Sequence, residues 1–451
     1  MRMSVKGSMT VFLSLLIILF LTFCMVLMEG VRNYFLRLEV EQAMELAAFS
    51  VLSEYQQDLF EYYGLFFLDL DYEQGREHVA VLENRARKYL SENAAECETV
   101  DLIAENFCKA TDEEGIAFFT QAVETMKVES GYKIFEELVD FVKTDSEMSL
   151  DVGDVLAENA AGAKDILESA IDENGLPLFD ISLPEISFPT VNALTKSVFG
   201  DMTGRSEKTV NLEERILKRT LEKGDGKRTD IGFMDMQLFH QYLLNYFNYY
   251  GKDQEHACKE VLEYQVEYLI AGNGSDRENL EDIMWRIFLL RVGGNYLFYH
   301  QDAEKMAIAE AEALAIAGVS GNPVLIKAVK EILLIAGAIE SSIQETKAIF
   351  EGEKVPVYQE GMFTNLELGY EEYLYILLNT TGRKEKVYRS MDIVELEIRK
   401  KSGYEDFRLD HCTDCFALTW SYEFDSLFLS VQLVNQGKYN NTITKKVFYE
   451  N

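Results

Sequence analysis

The sequence predicts a mainly helical α+β fold: an N-terminal transmembrane helix continuing into a long helix, a helical body, and a small antiparallel β region at the C-terminus. Three observations predict it. Apolar residues recur at three- and four-residue steps along most of the chain, the spacing of helices with one apolar face. Only 5 prolines occur in 451 residues, so long helices can run unbroken. Beyond Phe407 the apolar period shortens to two, as in half-buried strands.

The first element is an anchor. No residue between Lys6 and Glu29 is charged, and Val11 to Met28 reads VFLSLLIILFLTFCMVLM. As a helix this run is about 27 Å long at ~1.5 Å per residue, close to the ~30 Å hydrocarbon core of a bilayer. Arg2 and Lys6 flank its short side, so the positive-inside rule places residues 1–9 in the cytoplasm. The rest of the chain is then extracytoplasmic, on a single-pass plasma-membrane protein. A cleaved signal would end in small residues, but Phe23, Met25, Val26, Leu27 and Met28 fill that stretch. Phe23 is likewise bulky where a lipoprotein site at Cys24 would want Gly, Ala or Ser. The anchor is therefore expected to be retained. Residues 1–9 are too few to fold as a kinase or methyl-accepting output domain.

The helix is expected to continue. Val31, Phe35, Leu38, Ala47, Val51, Tyr55 and Leu59 mark one apolar face of a single helix that ends near Gly64. Gly64 to Asp71 reads as a short buried strand or turn, followed by a helix from Arg76 to Leu90. A strand or two is expected around Val100–Phe107, then a helix from Ile116 to about Lys127. Residues 144–230 contain Pro177, Pro184 and Pro189 and read as a linker or partly ordered excursion. Phe239, Tyr242, Leu243, Tyr246, Phe247 and Tyr250 then share one helical face, which reads as a core stripe. Ser275 with Glu278 forms a capping box ahead of Leu280, Ile283, Met284, Ile287 and Phe288. The stretch from Ala303 to Ile349 reads as buried helices broken at Gly321-Asn322-Pro323, and the charges at Glu310, Glu312, Lys327, Lys330 and Glu331 mean that it does not read as a second span. Helices at Tyr370–Asn379 and Arg389–Lys400 follow. Strands are expected at Phe416–Tyr422, Leu427–Leu433 and Lys445–Tyr449. The organisation is 1–30 stub and anchor, 31–143 extended helix and mixed region, 144–230 linker, 231–400 helical domain, and 401–451 β region.

Charge excludes one class of partner. With 77 acidic against 43 basic residues the net charge is −34, and phosphate recognition needs concentrated Lys and Arg, so no nucleic-acid partner is expected. The acidic residues are dispersed, as on solvated helix faces. So many carboxylates guarantee chance pairs, which carry no argument for a glycosidase dyad.

The chain offers little catalytic chemistry. His411-Cys412-x-x-Cys415 lacks the second Cys/His pair that zinc would need, and His78, His240, His256 and His300 are scattered. A redox CxxC normally opens a helix, whereas this one lies among expected strands; it reads as a structural pair or as plain buried thiols. Cys97, Cys108 and Cys258 stand alone, and the six cysteines neither demand nor exclude an oxidising compartment. Asp69-x-Asp71-x-Glu73-x-Gly75 departs from a calcium loop, with glycine one place late and Ala80 at the last ligand position. There is no GxxxxGK[ST], HExxH or GxSxG sequence. Arg291 and Asn295, four apart on an apolar helix, read as an interior brace. No catalytic, cofactor-binding or metal-binding residue is expected, nor any cofactor.

The opening Lys6-Gly7-Ser8-Met9-Thr10-Val11-Phe12-Leu13-Ser14-Leu15 resembles the N-terminus of TadE/TadG-type pseudopilins of the tight-adherence (Flp) pilus system. With the stretch from Glu29 to Asp69, and with TDEEGIAFFTQAVETMK, LEYQVEYLIAGNGSDRENL and FRLDHC, the chain resembles an uncharacterised clostridial membrane-protein family found with Tad-type pilus genes. The resemblance implies a surface-exposed pilus-associated protein of Gram-positive type and brings no catalytic residues. Prepilins carry Glu five residues after the processed Gly, whereas that position after Gly7 holds Phe12, which puts pilin-style processing in question. The expected function is a non-enzymatic pseudopilin-like or scaffold component that meets other pilus membrane proteins through its N-terminal helix. The alternatives are a membrane-tethered cell-wall glycan hydrolase and a surface ligand-binding module.

Overall fold

The computed structural model describes residues 6–70, 78–129, 188–224, 232–252, 260–357, 366–401, 403–428 and 438–449. These are mainly helical, with 12 α-helices and a small antiparallel sheet built around the C-terminal strands. The chain divides into two compact units that interleave in sequence. Unit 1 is Met1–Gln121, Leu221–Asp230 and Asp406–Asn451; unit 2 is Ala122–Thr220 and Ile231–Glu405.

Unit 1 begins with α1 (Lys6–Leu52), which passes Gly30 without a break. Its buried face, Leu36, Val40, Ala43, Met44, Ala47, Ala48 and Val51, joins one core with α3 (His78–Asn93) and the sheet. The single helix expected to reach Gly64 is two helices. The Ser53 hydroxyl bonds back to the Ser50 carbonyl, and the Gln56 side chain accepts the Leu59 N–H to open α2 (Gln57–Tyr63). Such side-chain bonds to the backbone compete with helix propagation. Gly64, at φ 64°, ends α2 in the left-handed conformation that glycine adopts freely. The expected single stripe also splits: Val31, Phe35 and Leu38 are exposed, whereas Ala47, Val51 and Leu59 are buried.

The sheet of unit 1 centres on β5 (Cys412–Asp425). It carries β2 (Glu98–Lys109) on one edge, and β6 (Lys438–Phe448) and the two-residue β1 (Leu68–Asp69) on the other, all antiparallel. The period-2 reading holds here: Phe416, Leu418, Trp420, Tyr422 and Phe424 all point into the core. Outward Thr419 and Ser421 pair across the strands with Thr444 and Thr442. The strand expected from Leu427 does not form at Leu427 or Phe428, where the chain turns away from β5; residues 429–433 lie outside the described residues. α4 (Asp112–Glu129) is regular only from Ile116, where the sequence predicts its start, because Glu113, Glu114 and Gly115 have positive φ.

Unit 2 is helical. Of the expected linker 144–230, residues 188–224 are described and are folded: Thr190 caps α5 (Val191–Phe199), and Leu194, Val198, Val210 and Ile216 are buried. These apolar residues are few and widely spaced, so no periodic signal marks them. α6 (Phe233–Tyr246) buries Phe239, Tyr242 and Leu243 but ends at Tyr246, so Phe247 and Tyr250 complete the aromatic stripe from outside the helix. α7 (Gln265–Ala271) precedes α8 (Asp276–Gln301), whose N-cap Ser275 accepts the Glu278 N–H at 3.2 Å. α9 (Ala303–Ala317) and α10 (Pro323–Phe350) form a hairpin broken at the expected Gly321-Asn322-Pro323, but α9 is largely exposed rather than buried, with only the Ala309, Ala313 and Ala317 face covered. Ala313 and Ala317 pack on Leu325 and Val329 there. The short strands β3 (Val355–Pro356) and β4 (Glu367–Leu368) pair, and α11 (Tyr370–Thr380) and α12 (Arg383–Arg399) follow.

Candidate functional site

The most distinctive surface lies on α1. From Met9 to Met28 every side chain is exposed except half-buried Cys24, and packing against unit 1 starts at Glu29. That bare segment of 20 residues is about 30 Å long at ~1.5 Å per residue. α1 is, among the described residues, the helix long and apolar enough to cross a membrane. Two of its hydroxyls bond within the helix: Ser14 Oγ donates to the Val11 carbonyl at 2.9 Å and Thr22 Oγ1 to Leu19 at 2.8 Å.

The boundary between bare and packed helix is built by charges. Glu29 is only 2% exposed, and its carboxylate accepts the backbone N–H groups of Leu427 (3.1 Å) and Phe428 (3.0 Å). One turn on, Arg32 donates to the Asp425 carbonyl at 2.8 Å and pairs with Glu96 at 3.1 Å. Two consecutive N–H groups satisfy a carboxylate that would otherwise be costly to bury. Sequence reasoning missed this latch, although Glu29 is the first charge after the apolar run.

The cysteines are not arranged as the sequence suggests. Cys415 forms a disulfide with Cys108 of β2, 307 residues away, with Cα atoms 5.2 Å apart, while Cys412 is a buried thiol outside the disulfide that donates to the Arg408 carbonyl at 3.6 Å. Within an extended strand, residues three apart sit roughly 10 Å from each other and face opposite ways, so Cys412 and Cys415 cannot bridge. The partner is chosen by a bulge. Asn106, at φ 58°, shifts the β2–β5 register so that Cys108 stands opposite Cys415. Asp414 is buried beside the pair, with a carboxylate oxygen and both sulfurs within 4.8 Å of one another. In the disulfide the two sulfurs are bonded to each other.

Unit 2 buries several carboxylates, each holding backbone or a phenol in place. Glu397 accepts the Val261 N–H at 3.0 Å, the Glu260 N–H and Gln265 Nε2. Asp276 accepts Glu263 N–H and Tyr264 N–H, and Glu267 accepts Tyr250 N–H and the Tyr370 hydroxyl. Asp392 accepts Ile216 N–H and the Tyr268 hydroxyl. Burial pushes Glu267 and Glu397 up to about 7 and Asp392 up to about 6. The Lys386 ammonium lies 2.5 Å from His240 Nε2 and donates to the Leu378 carbonyl; burial lowers Lys386 to about 8 and His240 below its usual range. These groups tie loops to helices.

The expected brace is formed. Arg291 Nε donates to Glu345 at 2.8 Å and Nη1 to the Pro356 carbonyl and Tyr373 hydroxyl, while Asn295 Nδ2 reaches Ser342 and Glu345. It joins α8 to α10, β3 and α11.

Neither a search of curated proteins nor one of solved structures finds a match. A family model, described as a family of unknown function (DUF5702), matches residues 190–367 and 359–424, which is just over half of the chain. The chain therefore belongs to the DUF5702 family of unknown function.

Proposed function

We propose that this protein is a non-enzymatic, membrane-anchored, extracytoplasmic scaffold of pseudopilin-like character, acting with the membrane components of a Tad-type pilus system. The observation that carries the reading is the two-part construction of α1: a bare apolar segment from Met9 to Met28, continuous through Gly30 with a segment packed into the core of unit 1. A helix so built holds its body rigidly against the bilayer and leaves its embedded surface open to neighbouring membrane helices. Arg2 and Lys6 orient the stub to the cytoplasm. The Cys108–Cys415 disulfide supports an oxidising compartment for the body, where such bonds persist. Because Ser14 and Thr22 bond within α1, partner contact rests on packing of the helix surface rather than on those hydroxyls.

The test is replacement of Val11–Met28 by an unrelated apolar span of equal length. Loss of pilus assembly and of partner co-purification, with the body still exported and folded, is the expected result. Unchanged assembly would reduce α1 to a tether and overturn the proposed recognition. Protease added outside intact protoplasts should remove nearly all the mass; a protected body would reverse the topology.

A further inference from the structure

We propose that the turn leaving β5 is a lipid-contacting collar: Leu427 and Phe428, latched to Glu29, rest in the interfacial layer of the bilayer that α1 enters. This rests on the reading of α1 as a retained membrane helix. The latch fixes the height of the turn, since hydrogen bonds of 3.0–3.1 Å leave Leu427 and Phe428 level with the first residue beyond the apolar run. Both side chains are exposed, Leu427 at 56% and Phe428 at 37%. Around the same level α1 exposes Val31 (55%), Tyr34 (63%) and Phe35 (62%). These α1 residues lie about 4–11 Å beyond Met28 along the helix, roughly the depth of one headgroup layer. Aromatic and aliphatic side chains at that depth trade water for acyl-chain ends and headgroups, and Tyr is favoured there.

The physical chemistry of Glu29 points the same way. A carboxylate at the edge of the hydrocarbon is costly unless its oxygens are satisfied and shielded. The Leu427 and Phe428 N–H groups satisfy it, and Arg32 holds the base of the turn through the Asp425 carbonyl. The occupant of this surface is lipid because Leu427 and Phe428 stand level with the end of the bare apolar run of α1, where Glu29 is buried and Arg32, 26% exposed, is already engaged by the Asp425 carbonyl and Glu96.

The test uses full-length protein reconstituted in phosphatidylcholine vesicles, with an environment-sensitive fluorescent amino acid placed in turn at 428, at 19 in the apolar run, and at 46. Leu46 is exposed and about 25 Å farther along α1 than Glu29. Lipids brominated near the headgroup should quench the probe at 428, deeply brominated lipids the probe at 19, and neither the probe at 46. Glu29→Ala should abolish quenching at 428 and leave that at 19, with folding verified by retention of the Cys108–Cys415 disulfide on non-reducing gels. An unquenched probe at 428 beside a quenched probe at 19 overturns the collar and leaves the anchor standing. An unquenched probe at 19 overturns both. Emission at 428 that shifts with protein concentration but ignores brominated lipid would assign the surface to a second copy and overturn the lipid reading. Quenching at 428 that survives Glu29→Ala would remove the latch from the proposal and overturn it in the form stated.

Discussion

At the scale of single residues, Asn106 decides the covalent structure of unit 1. Asparagine tolerates the left-handed region better than other non-glycine residues, and one such residue in β2 shifts the pairing by one. That shift puts Cys108 opposite Cys415 and leaves Cys412 as a thiol outside the disulfide, donating to the Arg408 carbonyl. Cys415→Ser should destabilise unit 1 by about 2–5 kcal/mol, the usual scale for losing a native disulfide. Cys412→Ala should cost less, about 1 kcal/mol for a small buried group. Denaturant unfolding followed by Trp420 fluorescence checks the order, and an equal effect from the two would count against the 108–415 pairing. The Arg291–Asn295 brace shows what the sequence could reveal at this scale. Two polar residues on an apolar helix face signal satisfied interior partners, though not that Glu345 and Ser342 supply them.

At the scale of elements, α1 has different neighbours along its length. Its buried face outside the apolar run includes three alanines, Ala43, Ala47 and Ala48, none more than 2% exposed, and these let α3 approach closely. Ala47→Leu should overpack that contact and destabilise unit 1 by about 1–3 kcal/mol. Leu46→Ala, one position away on the exposed face, should change stability by less than about 0.5 kcal/mol. Thermal unfolding of the two variants checks the pair. A large loss from Leu46→Ala would mean that this face is packed in solution.

At the scale of the whole molecule, unit 2 links stability to pH. Glu267 and Glu397 ionise near 7 and Asp392 near 6 in the fold, against about 4 in an unfolded chain. Their raised values contribute stability that is fully present below about pH 4 and is lost as pH rises through 6 and 7. His240 opposes them, since below about 6.5 the unfolded chain takes up a proton that the buried ring resists. Glu267, Glu397 and Asp392 act across this interval, whereas His240 opposes them at its acid end and Lys386, lowered to about 8, only at its alkaline end. A higher melting temperature is expected at pH 5 than at pH 8, and the net charge of −34 at pH 7 adds in the same direction. Calorimetry between those pH values should also show a flatter profile for Glu267→Gln. A melting temperature that rises with pH over this range would refute the assignment.

The sequence by itself determined the features that depend on local chemistry. These include the apolar run, the helix caps and breaks at Ser275 and Pro323, the alternation of β5, and the brace residues. Each follows from residues within about a dozen positions, where periodicity and side-chain bonding act directly. Only the tertiary structure decided the rest: the recruitment of residues 98–109 to a sheet closed by the C-terminus, the choice of Cys108, and the latch from Glu29 to Leu427 and Phe428. Those contacts join residues hundreds of positions apart, which meet only when burial of a shared core brings them together. No local pattern encodes that meeting.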